Sequence, residues 1–491
     1  MQDFINIIKN LFLFNPSAQI SFISGYFLFA FTLLVLAYSF VANNVQARKW
    51  LLICFNFFFY YKLAGLLSLI ILVPVLVDFY CAKAISKTES EKRKQVYMYL
   101  SVFCSLALLI YFKYTNFFIE ITNAISGKSF SLLKIAVPIG ISFYVFRSIS
   151  YILDVFNEKI DPVKNFSDYL LYMTFFPLLI SGPITRAELF TPQIEDKNLI
   201  TKYKIQEGLY LIFKGIIKKA IFADYLSIYV AMIFNTPEGY TGLENLVGIF
   251  CFTIQLYLDF SGYTDIARGI SKILGFDIGI NFNEPLKSRS ISDFWRRWHI
   301  SLSEWLRDYL YFPMNYYFRK LKTAGAILAM FITFFICGIW HGTTILFILF
   351  GLMHGLALSW EIFIRKYKFN NSLIKAIAPT FSWIFTFCFI LITFIAMRAD
   401  NLNSAAGIIA GIFTKMDFSK AILFITVQGM FTAMLLFAVT LIFAPSFLKD
   451  KAKNIFIKTP LIGKIALFII IVQLVVELEN KNIVPFIYAQ Y

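Results

Sequence analysis

The stretch ISFISGYFLFAFTLLVLAYSFV, residues Ile20–Val41, contains no charged side chain and is long enough to cross a bilayer, which takes roughly 20 residues. Similar apolar runs recur along the 491-residue chain, among them Ala324–Trp340, Ala421–Pro445 and Leu461–Val475. Only 15% of the residues are charged, and the mean hydropathy is +0.70. The runs are continuous, whereas the strands of a transmembrane barrel alternate with period two. The sequence therefore predicts an all-α polytopic membrane protein.

The apolar runs predict about eleven membrane segments. The segment Tyr169–Pro183 differs from the others because it is short and ends in Ser-Gly-Pro, which indicates a re-entrant or discontinuous helix. No soluble insertion or linker separates the segments, so residues 1–491 are expected to form a single membrane domain. Further apolar segments and helical stretches, not all of them long enough to be separate spans, are expected at Trp50–Tyr61, Leu63–Tyr80, Tyr97–Ile119, Leu132–Ile152, Leu209–Ile233, Leu246–Phe260, Thr344–Trp360, Phe381–Met397 and Ala405–Phe413.

The formal net charge of +16 would suit nucleic-acid binding in a soluble protein, but here it indicates basic loops on the cytoplasmic side of a membrane. Two such loops are expected at Gln46–Lys49 and Lys83–Lys94. An out-and-back helical hairpin between them would put the N-terminus outside the cytoplasm. The first apolar run lacks the features of a cleavable signal and is expected to remain as a span. The six cysteines form no CxxC pair and predict neither a disulfide framework nor a metal site.

The only histidines of the chain are His299, His341 and His354. Histidine changes charge most readily near neutral pH, and an ionisable group at membrane depth is a functional candidate. Two of the histidines stand in a repeated G-x-x-H-G pattern, Gly338–Gly342 and Gly351–Gly355, whose glycines allow helix backbones to approach closely. On one straight helix His354 would face about 220° away from His341. It is therefore expected to be a packing or hydrogen-bonding residue.

The setting of His341 is apolar, because it follows Ala324–Trp340 and precedes Gly342. Such a setting disfavours the imidazolium and leaves a neutral ring that can accept a proton. A structural histidine held by an interhelical hydrogen bond is the alternative. No G-x-S-x-G nucleophile elbow is present, and the spacing of the three histidines predicts no metal site.

The second histidine, His299, lies in a stretch that is unusually polar for this chain, DFWRRWHISLSEWLRDYLY at Asp293–Tyr311. Ser292 or Asp293 is expected to cap a helix that ends before Pro313. Such a helix is too polar to cross lipid, so it should lie in an interface or line a polar cavity.

On that helix Trp295, His299 and Leu302 would share a face, with Arg296 and Arg297 pointing elsewhere. Paired arginines beside tryptophans suit a phosphate-bearing donor such as coenzyme A. An aromatic belt with snorkelling cations is the alternative that these residues leave open.

The run NFNEPLKSRSISDFWRRWHISLSEWLRDYLYFP, at Asn281–Pro313, resembles the signature of the membrane-bound O-acyltransferases. More narrowly, it resembles the membrane subunit of alginate O-acetyltransferase and its relatives. Gly338–Gly342 followed by His354-Gly355 is similar to a second motif of that family, and Leu258–Asp265 and Ser181–Arg186 fit as well.

This resemblance implies a helical bundle around a central tunnel, with re-entrant or interfacial helices. The catalytic core would span about residues 131–365, between N-terminal helices at 1–130 and C-terminal helices at 366–491. It also implies the roles of four site residues: His341 as the catalytic base, His299 as a second active-site histidine nearer the donor, and Trp340 and Asp308 as supporting residues. Trp295 is expected to be a further supporting residue, and Arg296 and Arg297 are expected to bind the donor.

The resemblance further implies a multi-pass protein of the bacterial cytoplasmic (inner) membrane. Its donor substrate would be acetyl-CoA, or alternatively an acyl carrier protein, with no bound cofactor. The acceptor would be an extracytoplasmic glycan such as an alginate-like polysaccharide, reached with the help of a partner acyltransferase outside. Peptidoglycan O-acetylation and D-alanylation of teichoic acid are rivals within the family. A transporter and a catalytically silent membrane scaffold are the rivals of another class.

Overall fold

A computed structural model describes residues 12–15, 20–364, 372–419 and 425–478, with the side chains of residues 372–378 excepted. Every regular element in these ranges is a helix, which confirms the all-α prediction.

The α-helices are named α1 to α21 in chain order. The first eleven are α1 Gly25–Val41, α2 Val45–Ala64, α3 Leu72–Lys87, α4 Glu91–Leu109, α5 Thr115–Ser126, α6 Ile141–Phe156, α7 Phe166–Thr174, α8 Ala187–Phe190, α9 Lys202–Ile216, α10 Asp224–Asn235 and α11 Gly242–Ile273. The others are α12 Ile291–Trp295, α13 Ile300–Leu306, α14 Phe312–Tyr317, α15 Lys322–His341, α16 Ile345–Ile364, α17 Ser372–Arg398, α18 Leu402–Thr414, α19 Gly429–Phe443, α20 Ser446–Lys458 and α21 Leu461–Leu478.

Short 3-10 and π segments connect or extend these helices. The 3-10 segments are Gly65–Ile71, Phe176–Leu178, Thr191–Glu195, Pro237–Gly239, Pro285–Lys287 and Arg319–Leu321. The π segments are Ile110–Tyr114, Ile217–Ala223 and Arg307–Tyr311.

In the described residues, seven helical runs are long and apolar enough to cross a membrane, or eight if α19 and α20 form one broken span. These runs confirm a polytopic membrane protein. They are fewer than the eleven predicted, because several apolar runs form helices that are short or interrupted; α1 and α18, for example, are apolar but shorter than a full span. The seven runs are Val45–Lys87, Glu91–Ser126, Gly242–Ile273, Arg319–His341, Ile345–Ile364, Pro379–Arg398 and Leu461–Leu478.

Contacts group the chain into two compact units. Unit 1 comprises Met1–Ile212 and Ile266–Gly279, and unit 2 comprises Phe213–Asp265 and Ile280–Tyr491. All three histidines belong to unit 2. The single membrane domain stays a prediction.

Two basic residues of unit 1, Arg48 and Lys49, were predicted to lie in a cytoplasmic loop, and this is wrong. Both lie inside α2 and are buried. Arg48 donates to the backbone oxygen of Ile194 at 2.9 Å, and Lys49 Nζ lies 2.7 Å from Asp168 Oδ1. Because distant segments supply these partners, the two charges can be buried although the sequence suggests an exposed loop.

The boundaries of two predicted segments of unit 1 also differ. The segments Trp50–Tyr61 and Leu63–Tyr80 form one helical run, Val45–Lys87, which passes through a 3-10 turn. The predicted span Leu132–Ile152 is helical only from Ile141, after an irregular stretch. The orientation of the N-terminus stays a prediction.

The discontinuous helix predicted at Tyr169–Pro183 is confirmed in unit 1. Helix α7 ends at Thr174, where the chain turns into a short 3-10 segment and then an irregular stretch, all of it buried. The guanidinium of Arg147 donates to the carbonyl oxygens of Tyr172 and Met173, at 3.1 and 2.9 Å. These bonds satisfy carbonyl groups that the end of the helix would leave without a partner in a dry interior.

In unit 2 the repeated G-x-x-H-G pattern forms the predicted close helix crossing between α15 and α16. A Cβ atom added to Gly338 would lie 2.9 Å from the Cα of Gly351, and one added to Gly351 would lie 2.9 Å from the Cα of Gly338. The two backbones therefore touch at these glycines, and each is followed by a buried histidine, His341 or His354.

A buried charge cluster in unit 2 surrounds Lys219, which lies in the π segment after α9. Its Nζ lies 2.5 Å from Asp259 Oδ1 and 2.7 Å from Asp224 Oδ1. Burial lowers the pKa of Lys219, but the carboxylates of Asp259 and Asp224 outweigh this effect and the pKa is raised overall. The lysine therefore stays charged between two carboxylates.

Candidate active site

The polar stretch around His299 begins with a capped short helix, α12. Ser290 is the cap, because its Oγ accepts a hydrogen bond from Asp293 N at 3.0 Å. The carboxylate of Glu361 accepts two further bonds from the first backbone N–H groups of this helix, at 2.6 and 3.2 Å. The prediction that Ser292 or Asp293 caps the helix is wrong by two or three positions.

The long helix predicted through Asp293–Tyr311 is also wrong, because the chain breaks before α13. His299 has φ +44° and ψ 54°, the left-handed region that a bulky residue seldom adopts. The break is held by the segment that begins at Asn281, whose carbonyl oxygen accepts a bond from Ile300 N at 2.9 Å. Pro313 does not end the helix but lies in the first turn of α14.

Because the chain breaks between them, the side chains of Trp295 and His299 have different hydrogen-bond partners. The sequence predicted that they share one face of a helix. Trp295 Nε1 donates to His354 Nδ1 at 3.1 Å. His299 Nδ1 lies 3.2 Å from Asn281 Oδ1. Both imidazole rings are fully buried.

The bonds around Asn281 determine which nitrogen of His299 carries the proton. Asn281 Oδ1 accepts from the backbone N–H of Ser301 at 3.1 Å, so this atom is the carbonyl oxygen of the amide. His299 must therefore donate to it through Nδ1–H, which leaves the lone pair of the neutral ring on Nε2. Burial lowers the pKa of His299 well below its usual value, and the proximity of His341 lowers it further, because two imidazolium charges would repel each other. The ring is therefore neutral at neutral pH and can accept a proton at Nε2.

The third histidine has the opposite tautomer. Because a tryptophan N–H can only donate, His354 Nδ1 accepts the bond from Trp295 and the proton of the neutral ring sits on Nε2. This bond confirms the prediction that His354 is a hydrogen-bonding residue. The aromatic rings of Phe294, Phe334 and Phe350 lie around it, at centroid distances of 6.5, 6.3 and 4.5 Å.

His341 is the last residue of α15 and is buried. Its ring centroid lies 4.9 Å from that of Trp340, which is also 6.4 Å from His299. On the other side it lies 5.5 Å from Phe350, which contacts His354. The prediction that His354 faces away from His341 is wrong, because the two lie on separate, closely packed helices and not on one straight helix.

A cavity of about 530 Å³ opens beside this cluster, within unit 2. Trp295, Ile300 and Phe334 form part of its wall, and Arg296 and Arg307 are basic residues of its lining. Glu304 and Glu361 also line it, so the cavity combines an apolar wall next to the histidine cluster with charged side chains of both signs.

Three predicted site residues, Arg296, Arg297 and Asp308, lie in ion pairs near this cavity. Arg297 Nε lies 3.0 Å from Asp293 Oδ1, and Arg296 Nη2 lies 3.3 Å from the same atom. Asp308 accepts a hydrogen bond from Arg307 Nε at 2.8 Å. Arg296 has 67% of its side chain exposed and Arg297 34%, so Arg296 is the more accessible of the pair. Within the described ranges, no three His, Cys, Asp or Glu side chains are grouped closely enough to hold a metal ion.

Comparison with known proteins gives the family. The sequence pattern of the membrane-bound O-acyltransferases matches residues 156–399. A probable alginate O-acetylase of Pseudomonas syringae pv. tomato is 34% identical over 404 residues, which cover 81% of this chain and 76% of the relative. The chain belongs to the membrane-bound O-acyltransferase family. This membrane-bound O-acyltransferase is also similar to a peptidoglycan O-acetyltransferase of Helicobacter pylori, with 31% identity over 76% of this chain and 75% of the relative.

A third relative of this O-acyltransferase is a teichoic acid D-alanyltransferase of Bacillus subtilis. The two are 31% identical over 263 residues, which cover 50% of this chain and 66% of that protein. The resemblance inferred from the motifs is confirmed, and the chain is an enzyme of acyl transfer.

Sequence reasoning on this O-acyltransferase missed Asn281, Glu361 and Phe260. Asn281 orients His299, Glu361 caps α12, and Phe260 packs edge-on against His299 with ring centroids 4.8 Å apart. A carboxylate in the otherwise apolar helix α16 was a signal that could have identified Glu361, since such a charge needs a partner. Neither Asn281 nor Phe260 stands out by residue type.

Proposed function

We propose that this O-acyltransferase moves an acetyl group from acetyl-CoA to a hydroxyl group of an extracytoplasmic glycan, with His341 as the catalytic base. One observation carries the proposal: His341 and His299 lie in one buried aromatic cluster, in contact with the same Trp340, beside a cavity with basic residues. A neutral imidazole that is shielded from water can act as the general base in acyl transfer from a thioester.

In this mechanism the ring of His341 takes the proton of the attacking hydroxyl. The hydroxyl oxygen bonds to the thioester carbonyl carbon, the carbon–sulfur bond breaks, and the thiolate leaves and takes up the proton that His341 holds. His299, oriented by Asn281 through Nδ1, presents Nε2 on the donor side. Trp340, which contacts both rings, would exclude water, which would otherwise hydrolyse the thioester.

Donor binding is proposed for the part of the 530 Å³ cavity that Arg296 and Arg307 line. Arg296 lines this cavity, and Arg297 shares its Asp293 partner, so both would bind the phosphates of coenzyme A. Asp308 would hold Arg307 in place through their ion pair, and Trp295 would form the wall next to the acyl group.

The location and partners belong to the same proposal. The enzyme would lie in a bacterial cytoplasmic (inner) membrane with its N-terminus outside the cytoplasm, and a central tunnel would connect the two sides. A partner acyltransferase outside would receive the acetyl group or direct it to the glycan. The names of the two O-acetylating relatives support acetyl transfer to a cell-envelope glycan, and the D-alanyltransferase supports a carrier-protein donor as the rival.

The test is the ester-linked acetate on cell-envelope glycans, released by mild base from cells that make the native chain or its His341→Gln form at equal membrane levels. Acetate with the native chain and none with the variant is the expected result. A Gly407→Ala form is the matched control, since a Cβ atom at that glycine has no neighbour within 4 Å. Equal amounts of acetate with the native chain, the His341→Gln form and the Gly407→Ala form would show that His341 has no part in the mechanism. Released D-alanine in place of acetate would establish the carrier-protein reaction instead.

A further inference from the structure

A second cavity of unit 2, of about 490 Å³, lies apart from the histidine cluster. Its aromatic walls come from three helices: Phe250 from α11, Trp383 and Phe387 from α17, and Phe443 from α19. Lys287 and Arg289, which precede α12, also line it. We propose that this cavity binds an anionic phospholipid, with its phosphate held by Lys287 and Arg289 and an acyl chain along the aromatic wall.

The basic side of the cavity has more positive than negative charge. Lys287 Nζ lies 3.1 Å from Glu284 Oε1, and Lys449 pairs with the same oxygen at 2.5 Å. Arg289 is exposed beside them. Lys287 and Lys449 thus share one carboxylate, and Arg289 adds a further positive charge to the cavity lining, which favours an added phosphate.

Two helices of the apolar side, α11 and the Pro379–Arg398 part of α17, are long and apolar enough to cross a membrane. Trp383 is fixed at the junction of the two sides, because its Nε1–H donates to the carbonyl oxygen of Leu286 at 2.9 Å. Its ring stacks on Phe387 at a centroid distance of 5.5 Å. A tryptophan with a polar anchor and an apolar surround is typical of the level where headgroups meet acyl chains.

The break between helices α19 and α20, next to the cavity, supports the same depth in the membrane, where headgroups meet acyl chains. Helices α19 and α20 meet at 96°, and Lys287 Nζ donates to the carbonyl oxygen of Ala444 in the bend, at 3.0 Å. Helix α20 carries four lysines and exposes Phe447 and Ile455, the composition of a helix lying in a membrane surface. The cations of the cavity are therefore at the depth of lipid phosphates, and a phospholipid matches both of its sides.

The purified full chain in lipid nanodiscs provides the test. The probe is phosphatidylglycerol with brominated acyl chains, titrated into phosphatidylcholine discs while tryptophan fluorescence is recorded. Bromine quenches a tryptophan that it approaches, and the signal of Trp383 is the difference between the native chain and Trp383→Phe. We expect saturable quenching of this signal, with brominated phosphatidylcholine much weaker.

Arg289→Gln should weaken this binding about fivefold, the effect of removing one basic side chain near an anionic lipid. Lys92→Gln, which removes an exposed lysine of α4 in unit 1, is the matched control and should leave binding unchanged. Three results would each overturn the proposal. They are equal quenching by the two brominated lipids, the same quenching in Trp383→Phe as in the native chain, and unchanged binding in Arg289→Gln. Displacement by inorganic phosphate alone would also overturn it, in favour of a site for free phosphate.

Discussion

Replacing Asn281 by aspartate tests how His299 is controlled. The side chain of Asn281 is fully buried, and its Oδ1 lies 3.2 Å from His299 Nδ1. Aspartate keeps an acceptor oxygen at this position but adds a negative charge. Because the added charge favours the imidazolium, the pKa of His299 should rise from its depressed value.

The size of the pKa shift of His299 follows from the distance between its ring and the new carboxylate. Two unit charges 3.2 Å apart attract each other by about 5 kcal/mol at an effective dielectric constant of about 20. Spreading of the charge over two oxygens and the desolvation of the new carboxylate reduce this value. One pKa unit corresponds to about 1.4 kcal/mol, so the pKa of His299 should rise by about one to three units.

The assay is the pH dependence of kcat/KM for acyl transfer in reconstituted membranes. If the reaction needs neutral His299, its acidic limb should move to higher pH by about one to three units in Asn281→Asp. Ser301→Ala is the control, because it removes the serine hydroxyl that donates to the same oxygen at 2.9 Å but adds no charge. An unchanged acidic limb in a folded Asn281→Asp protein would refute the role given to His299.

Three further predictions concern stability, each measured as a melting temperature in detergent. Gly351→Ala should destabilise the protein by about 1–3 kcal/mol, because the new Cβ meets the facing backbone, whereas Gly407→Ala should not; equal melting temperatures would contradict the close crossing. Lys219→Met should cost about 3–5 kcal/mol, since it removes a buried cation from between two carboxylates, and Lys219→Arg should recover part of the loss; an unaffected Lys219→Met protein would contradict the charge cluster. Because the pKa of His299 is depressed in the folded protein, the unfolded chain binds more protons below about pH 6.5, and stability that is present above this pH is lost as the pH falls. His299→Gln should weaken this dependence of the melting temperature on pH. The same dependence in the native and His299→Gln proteins would contradict the depressed pKa.

The sequence predicted the membrane helices well because apolar length is a local property. The segments expected at Ala324–Trp340 and Thr344–Trp360 match α15 and α16 to within a few residues. The close crossing at Gly338 and Gly351 was also predictable, since a repeated small-residue pattern has few other uses in a membrane helix.

The prediction failed where partners come from distant parts of the chain. Arg48 was expected in a loop, yet it is buried because backbone carbonyl groups near Ile194 accept its hydrogen bonds. The break at His299 depends on Asn281, which lies 18 residues upstream and stabilises a backbone conformation that the helical pattern does not suggest. Candidate active-site histidines can thus be chosen from the sequence by residue type and motif, but their tautomers and orientation depend on tertiary contacts.

The glycine crossing of α15 and α16 also restricts how substrates can reach His341. At Gly338 and Gly351 backbone rests on backbone, and no rotamer change can take up a displacement there. A shift of one helix is therefore transmitted directly to the other, and His341 and His354 travel together. Any movement that widens the way to His341 must therefore displace groups outside this crossing. In the mechanism proposed above, His341 would thus be the stationary side of the reaction chamber, because α15 cannot shift without α16.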